Sequence, residues 1–200
     1  MLVFYNTATS PNGQKVQFML EECGLPYERK LLRRDLGENK TPEYLSISPT
    51  GAVPAIVDHE TGARVFESAA ILVYLAEKSG TFLPLTQPAR AQVLKWLFYE
   101  VAGVGAVCEN IYQLMYENDP GPWLTKQVDK LRRAATLLQQ QLGDSSYICG
   151  ECSVVDFALF PWFAMFEDLT DQSLAEYPGV KRWFDTMRTR PAMSKVLAGK

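Results

Sequence analysis

The spacing of apolar residues changes part-way along the chain, and that change restricts the folds open to it. Up to about Gly80, short apolar runs alternate with amphipathic ones. LVFY (2–5) reads as a strand, and Pro11 to Cys23 as a helix with apolar Val16, Phe18, Met19 and Leu20, closed by Gly24. ERKLL (28–32) reads as a second strand and TPEYLSI (41–47) as a short helix. AIVD (55–58) and RVF (64–66) predict a hairpin around HETGA, followed by a buried helix, AAILVYLAEK (69–78), that ends near Gly80. A β-α-β half followed by a β-β-α half predicts a small mixed sheet with helices packed on it.

After Pro84 only the helical period remains. The linker LPLTQP (83–88) precedes a long helical pattern from Ala89 to about Asn118, where Gly103 and Gly105 predict a kink or close packing. DPGPW (119–123) breaks it, and Leu124 to Leu142 forms the next helix, stopped by Gly143-Asp144. Ser153-Val154-Val155-Asp156 resembles a capping box, with Asp in place of Glu, opening an apolar helix expected to run through Leu169. A further helix spans Tyr177-Pro178 to Arg190, and Pro191 starts a short tail. Two domains follow, an α/β one over residues 1–80 and an all-α one over residues 87–200.

Composition narrows the function classes. A chain of 200 residues with 47% hydrophobic and 22% charged residues can bury a sizeable core. Its net charge of -3 gives no electrostatic reason to expect nucleic acid or an anionic membrane as partner. The basic runs at Arg29-Lys30, Arg33-Arg34 and Arg132-Arg133 are short and flanked by acids, which fits solvated faces. No apolar stretch approaches the roughly 20 residues of a membrane span, and Met1 opens into a strand pattern without a basic signal-peptide region. The four cysteines, without a secretory signal, predict reduced thiols and a cytoplasmic protein. The one histidine, His59, sits in the turn HETGA. That excludes multi-histidine metal sites and argues against a Ser-His-Asp triad, so no metal is expected.

Three local features carry chemistry. Hydroxyls and amides crowd the first strand–helix junction, NTATSPNGQK (6–15), where Ser10 reads as a helix N-cap and Pro11 as a first-turn residue. Pro54 opens the strand AIVD. A cis Val53–Pro54 bond would leave the Val53 backbone free to pair with something extended, whereas an ordinary trans bend is the commoner state, since only about 5–6% of such bonds are cis. Cys149-Gly150-Glu151-Cys152 has redox-motif spacing, but redox CxxC pairs start the first helix of a thioredoxin-like unit. Here the pair precedes the Ser153 cap, where Cys152 suits a small hydrophobe packed on Phe157.

Taken together, Val53-Pro54-Ala55-Ile56, Phe66-Glu67-Ser68-Ala69-Ala70-Ile71 with Tyr74-Leu75, and Ser153-Val154-Val155-Asp156 resemble the glutathione S-transferases over the whole chain. SPNG (10–13), LKWLFYEVAGVG (94–105) and YPGVKRWFDTMRTRP (177–191) look most like the bacterial Nu class, associated with glutathione-dependent disulfide reduction. The resemblance implies a thioredoxin-like N-terminal domain, an all-helical C-terminal domain and glutathione as cosubstrate. It also implies a small disulfide or electrophile as second substrate, and a homodimer.

Residue by residue, the resemblance implies that Ser10 and Asn12 donate to a glutathione thiolate at the first helix N-terminus, with Gly13 admitting a close backbone approach. Ser68 would meet the γ-glutamyl carboxylate and Glu67 the α-ammonium group, an ordinary cap at Glu67-Ser68 being the alternative. Val53, ahead of a cis Pro54, would pair with the cysteinyl unit. Relatives often carry Lys, Arg or Gln where this chain has Ala52, so Asn39 and Lys40 are the residues expected to take over the glycyl carboxylate. The helix aromatics Trp96, Phe98, Tyr99, Tyr112 and Tyr116 would line a substrate cleft, a core or a subunit interface. The expected activity is glutathione-dependent thiol–disulfide exchange. Glutathione conjugation and a non-catalytic binding module are the alternatives.

Overall fold

The computed structural model describes residues 1–117 and 121–199. They divide into two compact units: Met1 to Leu83 with the segment that begins at Pro191, and Pro84 to Arg190.

The first unit is built from β1 (Leu2–Asn6), α1 (Pro11–Glu22), β2 (Tyr27–Leu31), α2 (Pro42–Leu45), β3 (Ala55–Asp58), β4 (Arg64–Phe66) and α3 (Ser68–Ser79). The four strands lie in the order β2-β1-β3-β4. β1 runs parallel to β2 and antiparallel to β3, with Val3 opposite Val57 and Tyr5 opposite Ala55. Because neighbours flank it on both sides, β1 is buried at every position, as its unbroken apolar run requires. Val3 and Tyr5 cluster with Tyr44, Ile47 and Ala55, while α1 buries Val16, Phe18, Met19 and Leu20. The mixed sheet and the paired halves are as the alternation predicts.

A buried carboxylate ties α3 to the sheet. Tyr74 Oη donates to Asp58 Oδ2 at 2.7 Å and Lys78 Nζ pairs with the same oxygen at 2.9 Å. Burial alone would raise the Asp58 carboxyl, but these two partners hold it well below the usual carboxylate range. The middle and last turn of α3 are thereby held against β3.

The second unit is helical throughout: α4 (Ala89–Tyr99), α5 (Ala106–Leu114), α6 (Gly121–Leu142), α7 (Val154–Phe163), α8 (Phe166–Thr170) and α9 (Pro178–Arg188). No helix among the described residues is long and apolar enough to cross a membrane. Every residue of α7 is buried, and Asp156 in its first turn accepts from the N–H groups of Ser153 at 2.8 Å, Ile148 at 3.1 Å and the Trp183 indole at 2.9 Å. Asp156 thus reaches back to the cap as the Ser153–Asp156 pattern predicts.

Three helix expectations need correction. The pattern from Ala89 is not one helix, because a π-helical stretch, Glu100–Gly105, separates α4 from α5. A Cβ on Gly105 would lie 2.9 Å from Glu100 Oε1 and 3.3 Å from Trp162 Nε1, so the glycine makes room for the 2.8 Å bond from the Trp162 indole to Glu100. The expected end of that helix at Asn118 and the Asp119-Pro120 breaker lie outside the described residues. The apolar helix from Ser153 stops at Phe163 and restarts at Phe166, with Met165 at φ -105° and ψ 3° leaving the helical backbone between them, while Pro161 is accommodated inside α7. The expected tail is a helix, α10 (Pro191–Ala198). It groups with the first unit rather than the second, and Lys195 Nζ meets Glu21 Oε2 of α1 at 2.6 Å.

Candidate functional site

The polar junction between β1 and α1 has a definite geometry. Ser10 takes the N-cap position with φ -69° and ψ 119°, and its Oγ accepts the Gly13 N–H at 3.2 Å. Pro11 occupies the first turn, where its missing N–H costs nothing. The capping role and any role toward a ligand therefore coexist in one side chain. Gly13 also serves an approach that the sequence does not show. A Cβ there would overlap the carboxamide of Asn6, which is buried at the end of β1, so glycine is demanded by the packing of α1 on the strand.

The first turns of α1 and α3 are joined by side chains. Ser68 Oγ donates to Asn12 Oδ1 at 3.3 Å, and Lys15 Nζ donates to the same oxygen at 2.6 Å. Lys15 is only 2% exposed. Sequence reasoning missed it, although Lys15, Phe18 and Met19 share the three-and-four spacing of α1's buried face. Before Ser68, Glu67 adopts φ 70° and ψ 117° and its side chain makes no capping bond. An ordinary cap would show that bond. Glu67 is instead an exposed side chain held on a backbone conformation that L-residues adopt at a cost of about 1–3 kcal/mol.

The loop before β3 supplies an extended backbone. The Val53–Pro54 bond is cis, as is Gln87–Pro88, which the sequence reading did not single out. Among the described residues, the Val53 N–H and C=O take no hydrogen-bond partner. The carbonyl just before them is firmly held, since Ala52 O accepts from Tyr44 Oη at 2.7 Å and from Ser48 Oγ at 2.9 Å. Tyr44 and Ser48 were not foreseen as supports, because nothing in the sequence marks a side chain that bonds a distant carbonyl. Asn39 is buried and its amide donates to Gly51 O at 2.8 Å. Lys40 is exposed, with Nζ 3.3 Å from Thr50 O. Gly51 has φ 68°, and a Cβ there would lie 2.8 Å from the Asn39 carbonyl oxygen, so both backbone and space require glycine.

Ser10, Asn12 and Ser68 thus come together at two helix starts, with Glu67 next to them in sequence. Val53 and Pro54 form one open stretch of backbone, and Asn39 and Lys40 shape the loop leading to it. Unsatisfied helix N–H groups and neutral donors at such a place favour an anion.

The cysteines lie elsewhere. They form no disulfide. Cys149 and Cys152 sit in the second unit before α7, Cys108 is buried in α5, and Cys23 follows α1. Burial, reinforced by the Asp156 carboxylate, pushes the Cys149 thiol up to about 11. A thiol so raised is a poor nucleophile at neutral pH. Of the helix aromatics, Trp96 is buried, whereas Phe98, Tyr112 and Tyr116 are exposed, the last two with ring centroids 5.1 Å apart.

Comparison with known proteins agrees with this geometry. The family model "Glutathione S-transferase, N-terminal domain" matches residues 9–78, and "Glutathione S-transferase, C-terminal domain" matches residues 121–186. The chain is 38% identical to the disulfide-bond oxidoreductase YfcG of Escherichia coli, over 95% of this chain and 92% of that protein. It is 30% identical to the disulfide-bond oxidoreductase YghU of the same organism, over 97% of this chain and 73% of that one. A glutathione transferase family member from Pseudomonas fluorescens, solved with two glutathione bound, superposes with a TM-score of 0.89 at 34% identity, covering 98% of this chain and 92% of the other. A glutathione transferase from Pseudomonas putida, solved with one glutathione disulfide per subunit, gives a TM-score of 0.89 at 32% identity, covering 98% and 90%. With both family models matched and relatives aligned along nearly its full length, the chain belongs to the glutathione S-transferase family and is Nu-class-like.

Proposed function

We propose that this protein is a glutathione-dependent thiol–disulfide oxidoreductase that holds a glutathione thiolate at the N-terminus of α1. The observation that carries this reading is the joining of the α1 and α3 starts through Ser68, Asn12 and Lys15, a cluster of donors without a cysteine. In this reading Ser10 and Asn12 donate to the thiolate. Ser68 meets the γ-glutamyl carboxylate, Glu67 the α-ammonium group, and the open Val53 backbone before Pro54 the cysteinyl unit. Lys40, exposed and cationic, takes the glycyl carboxylate in place of the side chain that Ala52 lacks, and Asn39 holds the Gly51 carbonyl so that the loop keeps its shape.

The chemistry balances without a protein thiol. The glutathione thiolate attacks one sulfur of a small disulfide, forming a mixed disulfide and expelling the other half as a thiolate. A second glutathione thiolate then attacks the glutathione sulfur of the mixed disulfide. It forms glutathione disulfide and releases the remaining thiolate. Relatives solved with two glutathione molecules and with glutathione disulfide support both stages. The protein's contribution is to raise the thiolate fraction of a thiol whose ordinary pKa is about 8.5.

Residues 1–80 act in this reading as the glutathione-binding domain and residues 87–200 as the helical domain. The exposed apolar Phe98 and Val101 supply a surface for a second copy of the chain. The unbridged cysteines suit a reducing compartment such as the cytoplasm. The test assays purified protein with glutathione against a model dialkyl disulfide and, separately, an activated aryl halide. Faster disulfide reduction supports the reading. Turnover of the aryl halide alone would make conjugation the function, and turnover of neither would leave a binding module.

A further inference from the structure

We propose that Arg34 selects the second substrate, receiving a carboxylate on the leaving half of an anionic disulfide. This inference rests on the functional reading above and names the class of disulfide that the site prefers.

The strand ends place this residue. β1 and β2 run parallel and finish together, with Asn6 opposite Leu31. Leu32 N–H then donates to Asn6 O at 2.8 Å, and from Asn6 the chain turns toward Ser10 and α1. Leu32 also packs on the cluster of Val3, Tyr5, Tyr44, Ile47 and Ala55, against which Val53 packs as well. Arg34 lies two residues beyond Leu32, at most about 7 Å of extended chain. It stands beside the carboxyl ends of the parallel pair, where open α/β sheets take their ligands.

The two neighbouring arginines differ. Arg33 Nε and Nη2 donate to Asp35 at 3.0 Å and 2.7 Å, and the Arg33 N–H donates to Glu38 Oε2 at 2.7 Å. Those bonds fold the segment into a tight turn, in which Arg34 opens the 3-10 stretch Arg34–Leu36. The Arg34 side chain is exposed, and among the described residues its guanidinium takes no hydrogen bond, ion pair or ring contact. From Arg29 to Lys40 there are five basic residues and two acidic ones, on a chain whose net charge is -3. Such a local field concentrates anions. Lys40 and Ser68 already meet the two carboxylates of the first glutathione, so Arg34 is left for the second substrate. Its planar fork fits a carboxylate with two parallel bonds. In the exchange, the glutathione thiolate attacks one sulfur, the new S–S bond forms as the old one breaks, and the other half leaves as a thiolate that takes a proton from water. A carboxylate held by Arg34 on that leaving half turns the first sulfur toward attack.

The experiment compares Arg34→Gln, Arg34→Lys and Arg34→Glu with wild type on three disulfides: the dianion dithiodiglycolate, neutral bis(hydroxyethyl) disulfide and the dication cystamine. Variant-to-wild-type ratios of kcat/KM are taken for each disulfide, so intrinsic reactivity cancels. Arg34→Gln should lower kcat/KM about three- to tenfold for dithiodiglycolate and less than about twofold for the neutral disulfide. Arg34→Lys, which keeps the charge and loses the fork, should fall between wild type and Arg34→Gln. Arg34→Glu should slow dithiodiglycolate further and speed cystamine. Raising salt to about 0.5 M should shrink these differences, and KM for glutathione should stay unchanged. Equal losses on all three disulfides, or a raised KM for glutathione, would put Arg34 on glutathione itself and overturn the proposal. An unchanged rate with dithiodiglycolate in Arg34→Gln overturns it too. A wild type that reduces none of the three overturns the functional reading, whereas one that reduces the neutral disulfide with a charge preference indifferent to Arg34 overturns this inference alone.

Discussion

Two places in this chain invite sulfur chemistry, and they contrast sharply. The CGEC stretch before α7 holds two cysteines, yet burial and the Asp156 carboxylate push the Cys149 thiol up to about 11. The α1 start holds no cysteine, yet it gathers a helix N-terminus, Ser10, Asn12, Ser68 and a buried Lys15. What marks a site for thiolate chemistry is the environment that stabilises the anion, whichever molecule brings the sulfur.

The sharpest way to break this contrast is to remove the donors at α1. Each charge-assisted donor contributes about 1.5–3 kcal/mol, and one pKa unit corresponds to about 1.4 kcal/mol. Ser10→Ala or Asn12→Ala should therefore raise the pKa of bound glutathione by about one to two units, and the double variant by more. Ultraviolet thiolate titration measures it. If all three titrate like wild type, the polar junction is only a helix cap.

At the other place, Cys149 should be protonated through the neutral range, since its pKa is raised. Alkylation by iodoacetamide should speed up about tenfold per pH unit until pH approaches 11, and near pH 7 it should be on the order of a hundredfold slower than for an ordinary cysteine. Site-resolved mass spectrometry reads the rate. Rapid modification at pH 7 would make CGEC a reactive centre and erase the distinction.

A smaller effect belongs to Ser68. On the proposed reading Ser68→Ala removes a charge-assisted bond to the γ-glutamyl carboxylate, so glutathione affinity should fall about ten- to a hundredfold by calorimetric titration. An unchanged dissociation constant would take Ser68 out of the site. The smallest effect is expected from Cys149→Ser/Cys152→Ser, which should retain glutathione-dependent disulfide reduction. Activity reduced to background in that folded double variant would move the chemistry to the second unit.

Much of this site was legible because its residues act locally. Ser10, Pro11 and Asn12 follow one another, and a cap bonds the N–H three residues on, so the motif and its geometry travel together. Ser68 was legible through its place in the Glu67-Ser68 motif, but its bond to Asn12, 56 residues away in sequence, was not. Gly13 was read as a residue of close approach, and its packing against Asn6 was not legible, since that depends on how strand and helix cross. Lys15 looked like a surface charge because lysine almost always is one.

By itself the sequence determined the change from mixed αβ order to all-helical order, the strand and helix starts marked by caps and prolines, and the absence of a cysteine from the first helix's opening turn. Those properties depend on residue types within a few positions of one another. Only the tertiary structure decided which polar atoms share a partner. Asn12 Oδ1 receives bonds from α1 and α3 together, Ala52 O from Tyr44 and Ser48, and Glu67 holds a positive φ between β4 and α3. Such arrangements depend on helix starts and loops being brought within about 3 Å of one another. No local pattern encodes that distance, because it is set by how the buried faces of the sheet and helices pack.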